Sequence, residues 1–269
     1  MQAGDCAPKT RMVCTSLQQL SGRSERKSMM TNIFKTHGAD RINLWLMLAL
    51  TFTTGIIDAV GYLGLDRVFT GNMTGNVVIL GMALLGADGL PVVGPLIALA
   101  GFVVGAIIGG RVLRNESAGW NRKTSGLFTV VGVSLMLTSV VLFVDLHEAS
   151  DTVALLITGF IAAAMGLQAA TARHLGVKDV TTVVVTSTLT GLAADSPLGG
   201  GSGKFWQRRL SAVVLILAGA AAGAAFLQVH IGLGILVTGV LAIGVAAVGE
   251  SARKCAVAQQ GLEGSVNSH

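Results

Sequence analysis

Five stretches of this chain hold no Lys, Arg, Asp or Glu: 42–57, 89–110, 125–144, 152–172 and 210–249. Each is long enough for one helix to cross the hydrocarbon core, which takes roughly 20 mostly apolar residues. The last turns at His230 and is long enough for two. Such a chain reads as an all-α, polytopic membrane helix bundle. Composition agrees where it bears on the point. Charged residues make up 12% of the chain, about half the share usual in soluble domains.

Six full spans are expected, at 42–63, 91–110, 126–144, 152–172, 210–229 and 232–249. Two further segments, 68–87 and 180–194, open with small and polar residues. After Asn76 the apolar run is short, which suits a re-entrant or broken helix better than a crossing. Charge bias tests this threading, because cytoplasmic loops carry an excess of Lys and Arg. With the N-terminus inside and both short segments re-entrant, only Arg67 of the 19 Lys and Arg lies outside. Eight full crossings would scatter the basic residues over both sides. Both termini are therefore expected in the cytoplasm. Residues 1–40 form a polar, basic tail, expected to be disordered. They lack the apolar region of a signal peptide, and Met29 or Met30 is a candidate start. Residues 251–269 form the C-terminal cytoplasmic tail, and 41–250 the membrane domain.

The membrane domain divides into two similar halves, about 41–145 and 152–250. Leu63-Gly64 precedes Thr74 as Leu175-Gly176 precedes Thr186, and Val68 and Leu80 match Val180 and Leu192 at the same offset. Further on, Ala100-Gly101 with Gly105-Ala106 matches Ala218-Gly219 with Gly223-Ala224. Three crossings per half would orient the halves oppositely, the inverted repeat with broken helices found in secondary transporters. Chance similarity between Gly- and Ala-rich helices is the plainer alternative. The Gly101 and Gly219 faces allow close helix crossing, inside the chain or between copies in a homo-oligomer.

Few polar groups lie within this apolar sequence. Asp58 is the one ionisable residue inside an expected span. A carboxylate there is costly and marks a cavity, a partner or a proton path. It reads either as a proton, cation or substrate site, or as a group satisfied by Arg67 or by the Gly/Thr-rich segment. That segment, Thr70-Gly71-Asn72-Met73-Thr74-Gly75-Asn76, is the most distinctive string in the chain. Asn76 or Thr74 would cap a half-helix starting near Val77, and non-helical backbone at this depth must be buried in protein or face water. Thr186, Ser187 and Thr188 hold the corresponding place in the second half. Two such starts would face each other across a substrate site, or would pack as a corner of self-satisfied side chains. Gln168 would bind solute or tie helices together. Asp58, Asn72, Thr74, Asn76, Gln168, Thr186 and Thr188 are therefore the candidate substrate or ion contacts.

Several classes are excluded. The net charge of +5 comes from loops and tails, so it reports orientation and no nucleic-acid partner is expected. Cys6, Cys14 and Cys255 make no disulfide framework. His147, His174 and His230 lie in a loop or at span edges, no cluster has metal-ligand spacing, and no cofactor is expected. The run from Gly199 to Lys204 imitates a phosphate loop, but Leu198 replaces its first Gly and Phe205 its Ser/Thr. The sequons at Asn72 and Asn115 fall within the membrane and on the inner side. No nucleophile–base pair is visible, so no enzyme is expected and no catalytic residue is assigned.

Two strings resemble a known family. The first is Gly55-Ile56-Ile57-Asp58-Ala59-Val60-Gly61-Tyr62-Leu63 with Phe69 and Met73-Thr74-Gly75-Asn76. The second is Ala164-Met165-Gly166-Leu167-Gln168, continuing from Thr186 to Asp195. Both are similar to motifs of the YoaK-like bacterial membrane proteins, the domain-of-unknown-function 1275 family. Ala169 departs from the Asn that many relatives have after the Gln. The resemblance spans about 40–250 and implies a multi-span inner-membrane protein with no agreed substrate. From the residues, the expected role is transport or channel-like passage of a small solute or ion past the broken helices. The alternative is a membrane scaffold or accessory subunit.

Overall fold

The computed structural model describes residues 41–87, 89–144, 151–176, 185–203 and 205–266. The expected basic tail at 1–40, with Cys6 and Cys14, lies outside the described residues, as do His147 and residues 180–184 of the second short segment. The chain divides into two units, 1–42 and 43–269, and the helix bundle is the second.

The described residues are helical, with no strand among them. Six helices are long and apolar enough to cross a membrane. They are α1 (Arg41–Gly64), α3 (Val93–Leu113), α4 (Arg122–Val144), α5 (Asp151–Leu175), α7 (Trp206–Leu227) and α8 (Ile231–Val266). Two are short: α2 (Met73–Leu84) and α6 (Val185–Ala194). At 1.5 Å per residue they reach roughly 18 and 15 Å, about half the hydrocarbon thickness. α8 runs roughly 54 Å, well beyond what one crossing needs. Its last turns therefore project past the apolar layer.

α1 is the central helix: 72% of its apolar window is buried, against 17–50% for the other five. Ile56 and Val60 of α1 meet Val131 and Leu135 of α4, Ile161 of α5 and Ile235 of α8 in the main core. Close approach is set by small residues, since lipid gives helices no hydrophobic reason to associate. A methyl on Gly101 or Gly105 of α3 would overlap the carbonyls of Gly159 or Ala163 on α5. A methyl on Gly219 of α7 would overlap the carbonyl of Phe52 on α1, and one on Gly223 would come within 2.5 Å of the Ile56 carbonyl. α4 and α8 cross where Gly132 and Gly239 each face the other's carbonyl. Both glycine faces read from the sequence are thus used within the chain. The opposite sides of α3 and α7 expose Val103, Val104 and Ile107, and Val214 and Leu217, as lipid-facing surfaces do.

Polar side chains in the spans mostly satisfy themselves. Thr51, Thr54, Thr158, Thr171 and Thr238 donate to the carbonyl one turn back, so hydroxyls sit in apolar surroundings without orphaned donors. At one end of the bundle Ser125 accepts from Trp120 Nε1 at 2.8 Å and donates to Glu250, which also pairs with Arg253. The glycine-rich run after α6 forms a 3-10 turn at Pro197–Gly199, capped by Ser196. Its end is latched by Arg209, which donates to the Gly191 carbonyl and to Asp195, both at 2.6 Å.

Candidate functional site

The site is built where the chain leaves α1 and folds back onto it. Residues 65–70 cross the end of α1 so closely that a methyl on Gly61 would meet the Val68 carbonyl at 2.5 Å. Thr70 donates to the Ile57 carbonyl at 3.3 Å. A methyl on Gly71 would sit 3.0 Å from Thr54 and 3.3 Å from Asp58 Oδ1. These glycines let backbone lie against backbone, placing the start of α2 beside the middle of α1.

Asp58 answers that start. Its Oδ1 accepts from Gly71 N at 2.6 Å and from Asn72 N at 3.2 Å. A helix N-terminus carries unsatisfied N–H groups and a partial positive charge. Here the carboxylate supplies the partner from another helix, while Asn72, at the capping position, makes no side-chain cap bond. Of the two satisfied-group alternatives, the Gly/Thr-rich segment is the partner. Arg67 donates instead to the Gly89 carbonyl at 3.1 Å.

The expectation of a half-helix starting near Val77, capped by Thr74 or Asn76, is corrected: α2 begins at Met73. Asn76 falls inside it and turns inward, fully buried. Its amide accepts from Phe69 N at 2.9 Å and donates to Phe69 O at 2.5 Å. One side chain thus replaces both backbone partners that Phe69 loses by leaving α1.

A cavity of about 440 Å3 opens beside these groups. Thr54, Asp58 and Tyr62 line it from α1, and Phe69, Gly71, Asn72, Thr74 and Gly75 with Val78 and Ile79 from the return and α2; Val185 and Thr186 of α6 and Ile216 of α7 close it. Both short helices therefore reach one space. Tyr62 and Phe69 stack on its wall with centroids 4.9 Å apart. Among the described residues, none that lines it is basic.

Of the candidate residues, Asp58, Asn72, Thr74 and Thr186 meet at this cavity, while Asn76, Gln168 and Thr188 do not line it. Asn76 holds the wall from behind. Thr188 is buried on α6, and Gln168 is 1% exposed on α5, its Oε1 without a hydrogen-bond partner. His174 is engaged elsewhere, with Ser117 O at 3.0 Å. Sequence reasoning missed Thr54, Tyr62 and Phe69. A signal existed, since Thr54, Asp58 and Tyr62 recur every fourth residue along one helix face, and Tyr62 is the sole Tyr of the chain.

The comparisons bear on this region directly. The profile of a family described as "Protein of unknown function (DUF1275)" matches residues 46–249, which includes every residue of the site. The chain is 36% identical over 155 residues to the UPF0700 transmembrane protein YoaK of Bacillus subtilis (strain 168). That match covers 56% of this chain and 65% of the relative, a little under two thirds of its length. No solved structure gives a significant match.

Proposed function

The chain belongs to the DUF1275 family and is a multi-pass membrane protein, and from that premise we propose that it moves a small solute or ion across the membrane through the cavity at Asp58. One observation carries the reading: a cavity where α2 and α6 meet α1, lined by Asp58, Asn72, Thr74 and Thr186. Asp58 supplies charge or a proton site there, and Asn72, Thr74 and Thr186 supply hydrogen bonds.

The two halves are inverted copies in this reading. What supports it is reciprocal packing: α3, the third helix of one half, lies on α5, the first of the other, and α7 lies on α1 in the same way. The fourth helices, α4 and α8, pair with each other. The protein sits in the bacterial inner membrane with both termini in the cytoplasm and acts without a cofactor or catalytic chemistry. An oligomer formed through the glycine faces would have to open the α3–α5 and α1–α7 pairs, so any self-association uses other surfaces.

The test is solute exchange. Bacterial cells deleted for their own relatives express this chain, its Asp58→Asn variant or an empty vector, and take up a panel of isotope-labelled amines, sugars, amino acids and metal ions. At least one label should distinguish the wild type from the empty vector by several-fold, with Asp58→Asn returning it to the vector level. Identical profiles for all three would sink the proposal. The second reading, a non-transporting scaffold, draws on Asp58 Oδ1 and Asn76 both being used to hold backbone. It predicts one stoichiometric membrane partner on purification.

A further inference from the structure

We propose that the cavity at Asp58 recognises an organic ammonium ion. This inference rests on reading the cavity as a solute site and adds the charge and class of the solute. The positive end of α2 would ordinarily attract an anion, but Asp58 Oδ1 already occupies the Gly71 and Asn72 N–H groups. An anionic solute would meet a carboxylate with no basic side chain among the residues lining the cavity.

A cation meets the reverse. Asp58 is itself buried and its carboxyl lines the cavity, where an opposite charge interacts more strongly than in bulk water. Beside it stand the stacked rings of Tyr62 and Phe69, whose π faces attract ammonium groups. Asn72, Thr74 and Thr186 add neutral polar atoms. Multivalent metal sites usually gather several acidic or imidazole ligands, and among the described residues no three of His, Cys, Asp or Glu come together; this wall sets one carboxylate beside neutral oxygens and two rings. The space, about 440 Å3, admits an alkylammonium with its substituents.

The experiment uses the full chain in nanodiscs and two probes of the same shape: choline, and its uncharged isostere 3,3-dimethylbutan-1-ol. Calorimetric titration should show choline binding about tenfold or more tightly than the alcohol. Phe69→Leu should weaken choline about threefold or more and leave the alcohol unchanged. Asp58→Asn should erase the difference between the probes, but it also weakens the hold on Gly71 and Asn72, since a neutral amide oxygen accepts less strongly than a carboxylate. Thr74→Lys is therefore the companion variant: it places an ammonium in the cavity, leaves the Asp58 hydrogen bonds intact and should abolish choline binding. Equal affinity for both probes, no choline binding up to tens of millimolar, or undiminished binding in a folded Thr74→Lys protein would each overturn the inference. Choline flux into proteoliposomes is read separately. Binding without flux above that of protein-free liposomes leaves this inference standing and removes the transport reading, while protein-dependent choline flux with equal affinity for the two probes does the opposite.

Discussion

Asp58 and Asn76 are polar residues surrounded by apolar sequence, and each is held there by backbone. Asp58 both holds the start of α2 and lines the cavity. Asn76 is spent on Phe69, with a longer contact from its Nδ2 to Met73 Sδ at 3.7 Å. The two should separate experimentally. Replacing Asn76 by Ala leaves the Phe69 N–H and carbonyl without partners beside a fully buried position, at about 1–3 kcal/mol for each buried unsatisfied group. The detergent-solubilised protein should melt clearly lower, and a Tm equal to wild type would show that Asn76 does not hold the turn. Asp58→Asn should act first on solute handling, because an amide oxygen can still accept from Gly71 N. Sequence pattern flagged Asp58 as costly in a membrane and Asn76 as a cap or solute contact, but had no means to assign their partners, because these depend on which backbone groups lie opposite. Gln168 shows the same limit: its place on α5 was legible, and its unpartnered Oε1 was not.

Among the elements, glycine position decides which helices touch. Gly105 and Gly223 lie against the backbones of α5 and α1, whereas Gly110 and Gly126 have open space where a side chain would begin. Gly105→Val and Gly223→Val should therefore drive apart the α3–α5 and α1–α7 pairs and leave little monodisperse protein on size-exclusion chromatography. Gly110→Ala and Gly126→Ala should be neutral or raise stability by up to about 1 kcal/mol through helix propensity. If all four behaved alike, the pairing would not depend on these close approaches. Of the two short helices, α6 is held from its far end as well. Arg209 places a cation on the last carbonyls of α6, where the helix dipole favours it, and its contact with Asp195 fixes the start of α7. The six spans were legible as long apolar runs, and the two short helices because Gly, Thr and Asn at the openings of 68–87 and 180–194 leave apolar runs too short to cross. Helix starts were less so. α2 begins four residues before the expected Val77, because a distant carboxylate caps it and no local signal had to.

At the scale of the whole molecule, the proposed orientation is set by where the basic residues fall and by the odd number of crossings in each half. In a chain with Cys6, Cys14 and Cys255 replaced by Ser, a Cys at Ala118 should react with a membrane-impermeant maleimide only after the cells are opened. A Cys at Ala87 should react in intact cells. Labelling of position 118 from outside would reverse the orientation and detach the two short helices from the proposed arrangement. Class, crossing number and expected orientation follow from the sequence itself, because matching a side chain to lipid or to water is a one-dimensional property of the chain. Which polar groups would share a site does not follow from it. Asp58 meets Gly71, Phe69 meets Tyr62, and Thr186 joins them from the far half only through the register at which helices cross. That register is fixed by contacts of a few ångströms between backbones distant in sequence, which hydropathy does not encode.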